Sequence, residues 1–169
     1  MGGTSTTAMT AHLPGPVLLA YDGSELSRRA MHSAGTLVGG GRAVVLYVHE
    51  PGMPLVPTPG AAAALASAPE LAREAAQTPE DMRRGADELA ERGMREAERA
   101  GFSATSQTVI ARGTTGVAEA IVDTASSINA SLIVLGSHGH SAIRGALLGS
   151  VSTEVLRRST VPVLIVPAP

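Results

Sequence analysis

Short apolar runs alternate with helical patterns along most of this chain, and this alternation restricts the fold more than any other feature of the sequence. The runs cover residues 16–21, 42–49, 131–135 and 161–166 and are rich in branched aliphatic residues. Continuous apolar runs of this length are typical of strands covered on both faces of a sheet. A more polar run at 105–110 predicts an additional strand at the edge.

Apolar residues recur at helical spacing between these runs. The apolar face of the first predicted helix consists of Leu26, Ala30, Ala34 and Leu37. This helix ends at the glycines 39–41. The second helix follows Thr78 and Pro79, a cap residue and a proline at the first helical position, and the third ends at Asn129 as a left-handed cap. A short fourth helix covers about 150–158.

The alternation predicts an α/β fold with one parallel sheet and helices on both faces. Right-handed crossovers make such a sheet doubly wound, with its five strands in the order 3-2-1-4-5. In this class of sheet a ligand lies outside the carboxyl ends of the strands, at the point where the strand order reverses. The predicted ligand crevice therefore lies between the first and fourth strands.

The length of 169 residues is typical of a single domain. Residues 1–15 are small and polar without periodicity, which predicts a disordered leader, and residues 16–169 form the predicted domain. An insertion at about 51–79 interrupts the alternation, because four prolines within nine residues oppose regular structure. We expect a mobile surface insertion; a cover over the ligand is the alternative.

Charge and residue usage exclude several functions. The formal net charge is −2 and no long block of like charge occurs, so nucleic-acid binding is not favoured. All 13 basic residues are arginines, which excludes a P-loop lysine and Schiff-base chemistry, and the absence of cysteine excludes thiolate nucleophiles. No apolar stretch approaches the ~20 residues that span a bilayer, so no membrane association is predicted and the cytoplasm is the expected location.

The segment GSHGHSAIRGALLGS, residues 136–150, directly follows the predicted fourth strand. The glycines that permit close approach of a phosphate to the backbone are Gly136, Gly139 and Gly149. The first N–H groups of the helix that follows have no partner within the helix, and Ser150 and Ser152 add hydroxyl donors. The segment therefore predicts an anion-binding loop. The alternative is that the glycines only turn the chain and Ser150 only caps the helix.

A second signal comes from LLAYDGSE, residues 18–25. Asp22 follows the predicted first strand, which borders the same crevice. A carboxylate in this position accepts hydrogen bonds from ribose hydroxyls or holds a metal; its alternative role is to cap the next helix. Because two separate stretches point to one crevice, a ligand site there is favoured over coincidence.

These motifs resemble those of the universal stress protein family. The pattern G-x2-G-x9-G-S that begins at Gly136, with a further hydroxyl at Ser152, is similar to the ATP-binding signature of that family. PVLLAYDGSELSRRAMHSA, VVLYVHEP and STVPVLIVP resemble its first strand and helix, its second strand and its last strand. The resemblance covers about 16–50 and 80–167, and it implies the members that bind ATP rather than those that lack the glycine pattern.

The resemblance implies an ATP-binding stress-response protein that signals by nucleotide occupancy and by contacts in a homodimer. It places Asp22 on the ribose or adenine side, and Ala20 and Val48 at the base. It places around the phosphates Gly136, His138, Gly139, Gly149, Ser150, Val151 and Ser152. The implied dimer contacts lie in the last strand, Val163, Leu164, Ile165 and Val166, where a bare apolar edge would favour association.

Three further features bear on the phosphates. Arg144 is a candidate contact to a terminal phosphate, with a solvated surface arginine as the alternative. Mg²⁺ is a candidate companion of the phosphates through Asp22 and Ser150. His138 and His140 form an H-x-H pair, but a dedicated metal site is not favoured because the sequence offers no third ligand nearby.

No catalytic motif is recognisable, so no catalytic residue is predicted. Two alternatives to nucleotide-dependent signalling stay open. One is a slow ATP hydrolase or self-phosphorylating enzyme that uses the same crevice. The other is a module that binds cyclic AMP or AMP, or no nucleotide, and acts through an unknown protein partner.

Overall fold

The computed structural model describes residues 13–50, 78–111, 116–139 and 148–168. In these ranges the strands are β1 (Val17–Ala20), β2 (Gly41–His49), β3 (Phe102–Ile110), β4 (Leu132–Gly136) and β5 (Val163–Val166). The helices are α1 (Glu25–Val38), α2 (Pro79–Arg99), α3 (Gly116–Ser127) and α4 (Ser150–Arg158). Arg144, His140, most of the predicted leader and most of the predicted insertion lie outside the described residues.

The strands form one five-stranded parallel sheet in the order β3-β2-β1-β4-β5. β1 is central: Leu18 is in register with Val44 of β2 on one side and with Ile133 of β4 on the other. The predicted α/β class, parallel sheet and strand order are therefore confirmed. The order reverses between β1 and β4, so their carboxyl ends lie side by side at the position predicted for a ligand.

Helices cover both faces of the sheet, as predicted. On the face of α1 and α2, Met31 and Ala97 pack against Leu19 and Val45. On the face of α3 and α4, the packed cluster includes Ile121, Val155 and residues of the inner strands. Because β1 is covered on both sides, Val17, Leu18 and Leu19 are all buried, which explains its unbroken apolar run.

The helix ends follow the predicted chemistry. Gly39 closes α1 in the left-handed conformation at φ 74°, and Asn129 after α3 has a positive φ of 51°. Thr78 caps α2 in a reciprocal capping box with Asp81, with Pro79 in the first turn. These local signals fix where the helices begin and end independently of the core.

Two of the detailed sequence expectations are wrong. The helical spacing predicts that Leu37 lies on the apolar face of the first helix, yet Leu37 is 68% exposed, and Met31 is buried instead. The third strand was expected to start at 105, but β3 starts at Phe102, which is buried and lies in register with Gly41. Polar residues in the middle of β3 interrupt its apolar pattern. A search for apolar runs therefore does not detect that this edge strand starts at Phe102.

The structure also describes residues 13–15, which precede the predicted start of the domain at residue 16. Leu13 packs against the core, and the Gly15 N–H donates to Ser131 Oγ at 2.7 Å. A Cβ on Gly15 would lie 2.1 Å from the Asn129 carbonyl oxygen. The close approach at Gly15 therefore fixes the entry of the chain into β1.

Candidate functional site

An open cleft of about 780 Å³ lies at the carboxyl ends of β1, β2 and β4, beside the N-terminus of α4. Its volume is in the range of small-molecule sites in proteins. The predicted site residues that line it are Ala20, Asp22, Val48, Gly136, His138, Gly139, Gly149, Ser150, Val151 and Ser152. The structure thus brings together every predicted site residue except Arg144, which lies outside the described ranges.

One part of the cleft is lined by aliphatic side chains, and we call it the apolar half. It consists of Leu46, Val48, Val117, Ile121, Leu135 and Val151. These residues belong to, or pack against, the core on the α3/α4 face of the sheet. The apolar half is therefore a continuation of the core that the cleft leaves open, suited to a flat apolar group such as a base.

The other part, the polar half, consists of Asp22, Gly136, Ser137, His138, Gly139, Gly149 and Ser150. Asp22 and the glycine loop approach each other closely there: a Cβ on Gly139 would lie 3.1 Å from Asp22 Oδ2. Asp22 Oδ1 also accepts the Ser24 N–H at 3.0 Å, which fixes the carboxylate at the start of α1. The loop and the carboxylate predicted from separate stretches of sequence thus share one wall of the cleft.

The N-terminus of α4 opens onto the polar half. Gly149 is the N-cap and makes no side-chain cap hydrogen bond, so Ser150 is the first helical residue rather than the cap. The N–H groups of Ser150, Val151 and Ser152 belong to the first turn, where no acceptor exists within the helix. Together with the helix dipole they give this end of the cleft a partial positive charge.

The backbone of Ser137 holds the loop in place. Its N–H donates to the Val166 carbonyl of β5 at 2.8 Å, and its carbonyl accepts the Gly149 N–H at 2.7 Å and the Ser152 hydroxyl at 2.8 Å. Ser152 is only 2% exposed. The expectation that the Ser152 hydroxyl donates to a phosphate is therefore wrong for this geometry, because its one hydrogen is committed to backbone carbonyls. Its backbone N–H still belongs to the first turn of α4.

A second carboxylate borders the cleft. Glu50 follows β2 as Asp22 follows β1, and both line the cleft with Tyr47. The pKa of the Tyr47 phenol is raised, mainly by partial burial and further by the negative charges of Asp22 and Glu50. Glu50 is not among the site residues predicted from the sequence. The rule that functional groups follow parallel strands would also have found Glu50.

Sequence reasoning missed a group of lining residues that carry no recognisable motif: Tyr21, Ser27, Leu46, Tyr47, Glu50, Val117, Ile121, Leu135, Ser137 and Leu148. Most of them are core residues that happen to reach the cleft. In the described ranges, no three His, Asp or Glu side chains converge as a metal site would require. No helix of the described residues is both long enough and apolar enough to cross a bilayer.

A doubly wound parallel sheet with a glycine loop and a helix N-terminus at its switch point defines an α/β protein with a small-molecule cleft. The chain belongs to the universal stress protein family, whose model matches residues 15–167. It is 31% identical over 150 residues to the universal stress protein YxiE of Bacillus subtilis, with 89% of this chain and 97% of that protein covered.

Solved structures share the fold. The hypothetical protein MJ0577, whose structure was used to assign its biochemical function, is 24% identical with a TM-score of 0.67, covering 93% of this chain and 98% of that one. A universal stress protein solved in complex with cAMP is 26% identical with a TM-score of 0.54, covering 90% of this chain and 96% of that one. The family and the fold thus agree with the resemblance found in the motifs.

Proposed function

We propose that this protein binds an adenine nucleotide, ATP in particular, and that nucleotide occupancy is the signal it passes on as a stress-response protein. The observation that carries the proposal is the meeting of Asp22, the glycine loop and the N-terminus of α4 in a single cleft. The universal stress protein solved with cAMP supports an adenine ligand.

The phosphates lie in the polar half. No lysine exists in this chain to neutralise them, so backbone N–H groups of the loop and of the first turn of α4 take that role. Gly139 and Gly149 expose their backbone to the cleft, and Ser150 adds an exposed hydroxyl at the first position of the helix. In this proposal the positive charge of Arg144 pairs with the terminal phosphate.

The base lies in the apolar half, where Val48 and Val117 provide aliphatic surface and the backbone of Ala20 and Val48 provides polar groups. Asp22 binds the ribose or adenine side, and its carboxylate also faces Gly139, where it suits Mg²⁺ carried by a triphosphate. Mg²⁺ would supply further neutralisation of the phosphate charge.

The edge of the sheet provides a surface for signalling. β5 is an edge strand, and its residues Val163, Leu164 and Ile165 are only partly buried. An apolar edge strand with unpaired backbone groups favours association, so we propose a homodimer through Val163–Val166. The Ser137–Val166 hydrogen bond joins this edge to the loop, and the dimer acts in the cytoplasm on a protein partner.

The experiment is to denature freshly purified protein, identify released nucleotide by mass, and titrate nucleotide-free protein with ATP, ADP, AMP and cyclic AMP by calorimetry. We expect an adenine nucleotide to be released and ATP to bind with one site per chain. Absence of binding by all four nucleotides would contradict the proposal. A single-turnover assay with labelled ATP separates binding from catalysis, since release of ADP at about 1 s⁻¹ would indicate an enzyme.

A further inference from the structure

The imidazole of His138 has one nitrogen with a hydrogen bond and one without. Nδ1 lies 3.0 Å from Ser137 Oγ. Nε2 is shielded from solvent and has no hydrogen-bond partner among the described residues. Such a group is uncommon, because burying a polar atom without a hydrogen-bond partner is energetically unfavourable.

The hydrogen bonds of Ser137 determine which nitrogen carries the proton. A hydroxyl has one hydrogen to donate and lone pairs to accept. Ser137 Oγ already accepts the Ala168 N–H at 3.2 Å, and His138 Nδ1 is the acceptor within its reach in the described part of the chain. Since Ser137 is only 1% exposed, water does not compete for this hydrogen. The hydroxyl therefore donates to Nδ1.

This assignment fixes the tautomer of the neutral ring. A nitrogen that accepts a hydrogen bond carries no proton, so the proton lies on Nε2. Nε2–H is then a buried donor without an acceptor in the described part of the chain. The ring lines the polar half, and its Cδ2, the atom bonded to Nε2, would lie 3.7 Å from a Cβ on Gly149, the N-cap of α4. The His138 ring thus lies next to the N-cap of α4.

We propose that the side chain of His138 is an anion-binding group of the cleft and that Ser137 is the positioning residue that keeps its Nε2 protonated. The ligand class is a phosphate oxygen, shared between Nε2–H and the first turn of α4. This inference rests on the proposed nucleotide function and assigns a side-chain contact within it. Because Nε2 is covered in the structure, the proposal requires the ring to turn toward the cleft on binding while Nδ1 stays hydrogen-bonded to Ser137.

The first test needs no nucleotide. In the ¹⁵N spectrum of the full chain at pH about 8, where an ordinary histidine is neutral, the two ring nitrogens of each tautomer have distinct shifts. We expect His138 to show Nε2–H in the wild type and a mixture of tautomers in Ser137→Ala. The signals are assigned by their loss in His138→Gln. A wild-type ring with Nδ1–H, or no change in Ser137→Ala, overturns the assignment.

The second test separates the two nitrogens by substitution. The amide nitrogen of glutamine reaches the place of Nε2, whereas that of asparagine reaches only the place of Nδ1. We expect His138→Gln to bind ATP within about threefold of the wild type and His138→Asn to bind it about tenfold more weakly, as loss of a charge-assisted hydrogen bond implies. Adenosine, which has no phosphate, should bind all three proteins equally.

Thermal unfolding of each variant excludes a loss of fold. Equal ATP affinities for the asparagine variant and the wild type overturn the inference and leave the proposed function standing. If the wild type binds no adenine nucleotide, the proposed function fails, and the same variants are titrated with tripolyphosphate. Weaker tripolyphosphate binding by His138→Asn than by His138→Gln then supports the anion-binding group, and no difference between them overturns it.

Discussion

The two halves of the cleft are lined by different kinds of chemical groups. The apolar half consists of aliphatic side chains that also belong to the core, whereas the polar half consists largely of glycine backbone, two hydroxyls, a carboxylate and an imidazole. An added Cβ on Gly149 meets the Ser137 carbonyl oxygen at 3.3 Å. The shape of the polar half therefore depends on the lack of side chains at its glycines, whereas that of the apolar half depends on the side chains that are present.

The largest expected effect comes from a substitution that disrupts only the polar half. Gly139→Val places a branched side chain against Asp22 Oδ2, 3.1 Å from its Cβ, and fills the space where a phosphate would approach the backbone. We expect a loss of about 100-fold in ATP affinity, with adenosine affected much less. Gly85→Val is the matched control, since a Cβ on Gly85 of α2 meets nothing within 4 Å. Equal ATP affinities of the two variants would show that the loop does not hold phosphates.

The second largest effect is expected from a substitution that disrupts the apolar half. Val117→Asp places a carboxylate among aliphatic side chains at the start of α3, where a base would have to displace its water. We expect ATP and adenosine to lose affinity together, by about 30-fold, since both carry the base. Leu37→Asp, at a position 68% exposed, is the control and should bind both normally. If Val117→Asp weakened ATP but spared adenosine, the base would not lie in the apolar half.

Two serines in the first turn of α4, which opens onto the polar half, have different predicted roles. Ser150 is exposed at the first position of α4, whereas the buried Ser152 hydroxyl holds the Ser137 carbonyl. We expect Ser152→Ala to lower the free energy of unfolding by about 1 kcal/mol. Ser150→Ala should leave stability unchanged and weaken ATP binding by about fivefold. Chemical denaturation and calorimetry on both variants measure the two effects, and an interchange of the results would reverse the assignment of the two hydroxyls.

The smallest expected effect concerns the far end of α4, away from the cleft. Arg157 and Arg158 hydrogen-bond Glu154 and lower its pKa from 4.5 to about 2. Because the folded pKa is depressed, the stabilisation is present above pH 4.5 and is lost as the pH falls toward 2. Glu154→Gln should slightly lower Tm at pH 7 and reduce the fall of Tm in that window, with ATP affinity at pH 7 unchanged. An altered ATP affinity would mean that these ion pairs influence the phosphate-binding first turn of α4, and it would contradict this prediction.

The polar half was the more predictable half from sequence, for a physical reason. Glycine is the residue that lets a backbone approach a ligand or another backbone closely, so the spacing of Gly139 and Gly149 is visible as a pattern in the sequence. The apolar half uses residues such as Val117 and Ile121, whose type is equally suited to any buried surface. Only the packing of α3 against β2 shows that they reach the cleft.

The fold was predicted in class and strand order because apolar runs and helix caps are local signals. The exposure of Leu37 and the start of β3 at Phe102 depend on which neighbours are present in three dimensions. The same limit applies to Ser137, which has no distinctive motif. Its five hydrogen-bonded neighbours come from the β4–α4 loop, α4, β5 and the segment after β5, and no local pattern joins those elements.

The most direct test of the central claim, that backbone N–H groups hold the phosphates, is to map amide chemical shifts as ATP and then adenosine are added. We predict that ATP causes the largest shifts at the amides of Gly139, Ser150 and Val151, and that adenosine leaves these amides nearly unchanged while shifting those of the apolar half. The account is contradicted if ATP binds with one site per chain and these three amides do not move.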